Sequence, residues 1–261
     1  AANWDSEANQ WTVEGIIEET GEKQVFTSNF LLGCTGYYNY DKGYSPEFPG
    51  IKNFKGTVVH PQQWPENLDY SGKRVVVIGS GATAITLVPT MAEETAHITM
   101  LQRSPTYVAS VPQKDPMLDG FRKVFSDRTA YHLGRGRNVL FQSAINKLCE
   151  RYPDTMRTFF TNLVRKQVGP EFDMRHFEPS YNPWEQRLCA VPDGDMFKVL
   201  RKGKANIITD HIERFVDNGI LLKSGFVLEA DVIVTATGLE VQLLGGMTLS
   251  LDGQAVNIAE K

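Results

Sequence analysis

Hydrophobic positions in this chain follow three rhythms. Near the start they alternate: Trp11, Val13 and Ile16 lie in 10–18, Gly21 marks a turn, 24–26 is the return, and 30–34 is a short apolar run. Alternation between turn residues predicts a small antiparallel meander over 10–36. The second rhythm is the unbroken run. Val75-Val76-Val77-Ile78 joins four β-branched residues, which suits a strand covered on both faces. Residues 97–103, 206–209 and 231–235 read as further strands, and 212–226 as another meander. The third rhythm is helical. Ile85, Leu87, Val88 and Met91 follow the first buried strand, and 196–202 precedes the strand at 206–209. Apolar residues at 141, 144, 145 and 148, then at 156, 159, 160, 163, 164 and 168, predict amphipathic helices over 138–151 and 155–168. These belong to an insertion at about 112–180, with Arg157, Arg165 and Lys166 on a solvated face. Strands alternating with helices give an α/β fold.

The turn after the first buried strand carries the chemistry. Gly79-Ser80-Gly81-Ala82-Thr83-Ala84 is a Gly-x-Gly-x-x-Ala loop between a strand and a helix, the setting that dinucleotide binding requires. Gly79 permits the turn, Gly81 lets the backbone approach a pyrophosphate, and Ala84 lets helix and strand pack closely. The anion would rest on free N–H groups at the helix N-terminus. An NAD site would have Asp or Glu at the end of the next strand. Here the strand ends in Gln102-Arg103-Ser104, a cation and a hydroxyl that suit a 2′-phosphate, so the expected cofactor is NADPH. One short internal echo exists: Cys34-Thr35-Gly36 and Ala236-Thr237-Gly238 each follow an apolar run. It suggests two nucleotide-binding halves, each closing its last strand against a cofactor with a small-Thr-Gly turn.

Composition removes several alternatives. A net charge of -4, with no dense basic block, argues against nucleic acid as a partner. No apolar run approaches the roughly 18–20 residues of a membrane span. Cys34, Cys149 and Cys189 are too far apart for a dithiol centre, which fits a cytoplasmic setting and excludes a disulfide reductase. No metal site is expected. The chain opens inside a strand pattern and closes just after a new segment starts, so it reads as an internal fragment of a longer protein.

Phe54-x-Gly56-x-x-x-His60-x-x-x-Trp64-Pro65 stands directly ahead of the glycine loop. With Gly36-Tyr-Tyr-Asn-Tyr40 and Tyr181-Asn-Pro-Trp-Glu-Gln-Arg187, it resembles the flavin-dependent Baeyer–Villiger monooxygenases over the whole chain, most closely a branch that also oxygenates thioamides. The resemblance implies two Rossmann-like dinucleotide-binding domains, the FAD part incomplete, with a helical insertion. Residues 1–48 would be a partial FAD-binding domain and 49–73 a linker holding the fingerprint. The NADPH domain would be 74–238, and 239–261 the start of a return to the FAD domain. The implied reaction uses FAD and NADPH to move one oxygen of O2 into a ketone or onto sulfur. Gly79 to Ala84 would hold the NADPH pyrophosphate, Arg103 and Ser104 the 2′-phosphate, and Arg187 would be the catalytic cation. Phe54, Gly56, His60 and Trp64 would couple the cofactor domains.

Two departures from the family pattern matter. Gln186 stands where many members have a lysine that helps hold the 2′-phosphate, which leaves Arg103 to carry that role. The family's first glycine loop, for FAD, belongs ahead of residue 1, so the fragment alone is expected to hold FAD poorly and to be nearly inactive. The alternatives are an N- or S-oxygenating flavin monooxygenase and, from another class, an isolated NADPH-binding module.

Overall fold

The computed structural model describes residues 1–186 and 188–257, and they fall into two compact units. The first unit joins Ala1–Tyr44 to Gly238–Lys261. Its five-stranded sheet runs Gln254–Val256, Leu249–Leu251, Ala2–Asp5, Gln10–Ile16, Lys23–Ser28. Ala2 to Trp4 pair in parallel with Leu249 to Leu251, and the other pairings are antiparallel. Trp4 opposes Trp11 with ring centroids 5.4 Å apart, a cross-strand aromatic pair that pins the register. The predicted meander is therefore present as a hairpin, within a sheet completed from the far end of the sequence.

One expectation fails here. Residues 30–34 form no strand, and Phe30 and Leu32 are 77% and 72% exposed. An apolar run becomes a strand only when a neighbour takes its backbone N–H and C=O groups, and none of the described strands does so. Tyr38–Gly43 instead pairs antiparallel with Leu239–Val241.

The second unit is Ser45–Thr237. Its core is an all-parallel sheet in the order Ala205–Thr209, His97–Gln102, Arg74–Ile78, Val232–Thr235, Thr57–Val59. The period of two explains the unbroken apolar run at its centre. Val75 and Val77 face one core, with Ile98, Met100 and Val234. Val76 and Ile78 face the other, with Leu101, Ile233 and Phe215. Both faces are covered, so both sets of side chains must be apolar.

Five α-helices lie among the described residues of this unit: α1 Ala82–Met91, α2 Pro116–Val124, α3 Asp127–Arg151, α4 Pro153–Val168 and α5 Asp195–Arg201. Helices α1, α4 and α5 supply Ala84, Ile85, Val88, Val164, Val168, Met196 and Phe197 to the first core. The antiparallel meander Ile212–Val216, Gly219–Leu222, Val227–Glu229 covers the opposite face. Helix α3 starts eleven residues before the predicted 138, at Asp127, because α2 packs on its first half. At Gly134 a Cβ would stand only 2.9 Å from Leu118 Cδ1, so the glycine there serves the helix contact. The stretch 49–73, expected as a linker, contributes the sheet's edge strand Thr57–Val59. No helix among the described residues is long and apolar enough to cross a membrane.

Candidate functional site: a dinucleotide cradle and an aromatic loop

Three adjacent parallel strands end at one edge of the second unit's sheet. Arg74–Ile78 runs into Gly79, His97–Gln102 into Arg103 and Val232–Thr235 into Ala236. The C-terminal edge of an open α/β sheet, beside its central strand, is where such folds bind ligands.

Gly79 has φ +133, and a Cβ on it would lie 2.4 Å from the carbonyl oxygen of Ala236. Its N–H donates to Leu101 O at 2.8 Å. The residue is wedged between two strand ends, and only glycine fits. Gly81 then forms the N-cap of α1 with an extended backbone and no side-chain cap, so the helix dipole and the N–H groups of its first turn face outward. Ala82 and Thr83 are exposed, while Ala84 is fully buried against the sheet. Ser80 Oγ ties the loop to the next strand end, 3.2 Å from Thr106 Oγ1 and 3.4 Å from Ser104 O. Arg103 and Ser104 are exposed on the same loop, and Arg103 makes no ion pair with any described residue. The structure thus brings together Gly79 to Ala84, Ser104 and Ala236.

Beneath Arg103 lies a polar cluster that sequence reasoning missed. The buried Gln102 donates from Nε2 to His176 O and to Thr209 Oγ1, each at 2.8 Å. His176 Nδ1 is 2.8 Å from the same hydroxyl, and burial holds the His176 pKa below its ordinary value. The cluster anchors the end of the strand that delivers Arg103. Its partners are 74 and 107 residues away in sequence, and no local pattern announces them.

The fingerprint wraps the edge strand from one face of the sheet to the other. Phe54 packs with Phe215 on the meander side. Trp64 packs on the helical side, edge-on to Tyr70 with centroids 6.3 Å apart. At Gly56 a Cβ would meet Asp231 O at 2.4 Å, which explains the glycine where the edge strand joins the sheet. His60 Nδ1 accepts from Gln62 N at 3.2 Å and caps the turn Pro61–Gln63.

The aromatic loop is more constrained than its sequence implies. Glu185 N donates to Asn182 O at 3.1 Å, closing a turn with Pro183 and Trp184 at its centre. Trp184 has φ +71, a left-handed conformation that costs a bulky residue about 1–2 kcal/mol. Asn182 N and Nδ2 both donate to the Glu185 carboxylate, at 2.8 and 2.7 Å, and these bonds hold its pKa below the ordinary value. Arg157, expected on a solvated face, instead donates from Nη2 to Asn182 Oδ1 at 2.8 Å. Tyr107 OH donates to Tyr181 O at 3.0 Å. The strand Leu188–Pro192 pairs with Tyr107–Val111, and Cys189 Sγ lies 3.9 Å from Ser80 O on the glycine loop. Arg187 itself lies outside the described residues.

The echoed turns behave differently. Ala236 and Thr237 do follow a buried strand, and Thr237 Oγ1 donates to Thr235 O at 3.4 Å; Gly238 has φ +109. Cys34, Thr35 and Gly36 lie exposed in the first unit after a segment that is not a strand, with Thr35 O accepting from Tyr40 OH at 3.1 Å. The reading of both as strand-closing turns is corrected for the first copy.

A sheet with helices on one face, a glycine turn at its central strand end and an uncapped helix define a dinucleotide-binding α/β protein, and the chain belongs to the flavin-binding monooxygenase-like family, whose model matches residues 2–244. Among its relatives, the probable FAD-binding monooxygenase AlmA of an Acinetobacter species is 54% identical over 261 residues, covering 100% of this chain and 52% of AlmA. The FAD-containing monooxygenase EthA of Mycobacterium tuberculosis is 50% identical over 260 residues, covering 99% of this chain and 53% of EthA. The chain spans about half the length of the curated relatives it matches. An oxidized steroid monooxygenase bound to NADP superposes with a TM-score of 0.73 at 22% identity, over 97% of this chain and 54% of its own, which supports the shared fold.

Proposed function

We propose that the chain is the NADPH-binding core of an FAD- and NADPH-dependent monooxygenase that inserts one oxygen of O2 into ketones or oxygenates sulfur, as in thioamides. The observation that carries this is the cradle at Gly79, where the approach of Ala236 O to 2.4 Å from a Cβ position leaves room only for glycine beside an uncapped helix start. NADPH suits these residues. The N–H groups of the first turn of α1 would take the pyrophosphate, and the exposed Arg103, with Ser104, would take the 2′-phosphate. One such glycine loop is present among the described residues; Cys34, Thr35 and Gly36 would belong to an FAD site in the first unit, and Ala236 and Thr237 to the nucleotide site of the second. Bound flavin, reduced by NADPH, would supply the activated oxygen. Arg187 would offer a fixed positive charge where negative charge develops on oxygen, an effect commonly worth about 10²–10³ in rate. Phe54, Gly56, His60 and Trp64 would couple the cofactor domains and move no proton.

AlmA and EthA, named as FAD monooxygenases, support the reaction class. The free thiols of Cys34, Cys149 and Cys189 support a cytoplasmic enzyme. The test is conversion of a simple ketone and a simple sulfide by the flavin-loaded full-length enzyme with NADPH. Ester and sulfoxide are the products expected. Sulfoxide without ester would favour an N- or S-oxygenating enzyme, and nucleotide binding with no flavin uptake would leave only an NADPH-binding module.

A further inference from the structure

We propose that Tyr107 and Arg157 are positioning residues that set the loop 181–186, the segment that leads in sequence to Arg187, for oxygen transfer; this rests on the monooxygenase reading above. Tyr107 grips the loop at both ends. Its backbone pairs with Leu188, just beyond the loop, while its hydroxyl donates to Tyr181 O at 3.0 Å, at the loop's start. The ring is 2% exposed and packs edge-on to Tyr181 with centroids 5.4 Å apart, so the anchor cannot swing away.

Arg157 holds the middle. From α4 it donates to Asn182 Oδ1, and Asn182 in turn donates twice to Glu185, two residues before Arg187. These bonds close the turn that keeps Trp184 at φ +71, a shape retained only where the surroundings over-determine it. Arg157 is an expensive choice for a mere staple. Among the described residues its Nε is buried with no hydrogen-bond partner, an arrangement that lowers stability. Leu188 and Cys189 continue from the loop into a strand whose Cys189 Sγ reaches Ser80 O. The clamp therefore fixes a segment that adjoins the nucleotide cradle.

The experiment uses the FAD- and NADPH-loaded full-length enzyme with Tyr107→Phe, Arg157→Ala, Arg157→Lys and Asn182→Ala. Tyr107→Phe removes one hydroxyl and leaves the packing, which guards against simple misfolding. Oxygenation kcat is expected to fall about 10–100-fold, the scale of a misplaced catalytic group. KM for NADPH should stay within about twofold, because the cradle is untouched. Hydrogen exchange of the amides in 181–186 should quicken about tenfold or more as local opening becomes easier. Arg157→Ala combined with Asn182→Ala should be no worse than either alone, and Arg157→Lys should recover part of the rate. Unchanged exchange in both Tyr107→Phe and Arg157→Ala would overturn the clamp. Faster exchange with unchanged kcat would overturn the positioning role and leave a structural staple. A folded wild-type enzyme that oxygenates neither ketone nor sulfide would instead overturn the monooxygenase reading, together with this role, before any variant is made.

Discussion

Replacing Gly79 by alanine should be costly in two separable ways. The first cost is conformational: φ +133 is a backbone shape that an L-residue adopts at a penalty of about 1–3 kcal/mol. The second is steric. The new Cβ would lie 2.4 Å from Ala236 O, a backbone atom held at the end of a neighbouring strand, so no rotamer change relieves the overlap. Forcing an extra carbon into packed surroundings costs about 1–3 kcal/mol. Together these come to about 2–6 kcal/mol, a large part of the roughly 5–15 kcal/mol that holds a domain folded. Gly72→Ala is the control. Its φ is +65 with nothing within 4 Å of the Cβ position, so only the conformational cost, about 1 kcal/mol, should appear. Urea denaturation measures the stability difference, and NADPH fluorescence titration measures the site. Gly79→Ala should lose tenfold or more in NADPH affinity, each tenfold being about 1.4 kcal/mol, while Gly72→Ala should lose none. Equal destabilisation by the two variants, or NADPH binding by Gly79→Ala within twofold of wild type, would refute the close-approach argument.

Arg103→Ala should weaken NADPH binding by about 1.5–3 kcal/mol, the usual worth of hydrogen bonds to a charged group, with NADH nearly unaffected; equal losses in paired titrations would remove the 2′-phosphate role. Asp115 caps α2 through the N–H groups of Met117 and Leu118 and pairs with Arg137, whose guanidinium holds its pKa down to about 2. A depressed carboxylate stabilises the fold above its unfolded pKa and loses that contribution as pH falls through the folded one. The contact of α2 with α3 should therefore hold at pH 5 and loosen between about pH 4 and 2, and Asp115→Asn should flatten that dependence in hydrogen exchange of α2. Arg187→Ala in the full-length enzyme should abolish most ketone oxygenation while the protein stays folded and yellow; steady-state turnover equal to wild type would exclude a catalytic role.

Much of this protein is legible without coordinates, because its strongest signals are local. A strand covered on both faces must be apolar at every position, so 75–78 declares itself. A phosphate-binding turn needs small residues at set spacings immediately after it, so 79–84 follows. The helices near 145 and 160 show in their spacing for the same reason, since one stripe must meet a core. What stayed hidden depends on partners far along the chain. Whether 30–34 becomes a strand depends on a neighbour for its backbone, and none of the described strands supplies one. Whether 127–137 is helical depends on α2 resting at Gly134, although glycine by itself argues against a helix. Arg157 looks solvated until the loop at Asn182 is folded over it, and Gln102, His176 and Thr209 become a cluster only when three separate segments meet. Sequence by itself marked out the segment we propose as the dinucleotide site, because that chemistry is written in adjacent residues. Tertiary structure alone decided what holds those segments in place, because hydrogen bonds between distant polar groups leave no periodic trace in the chain.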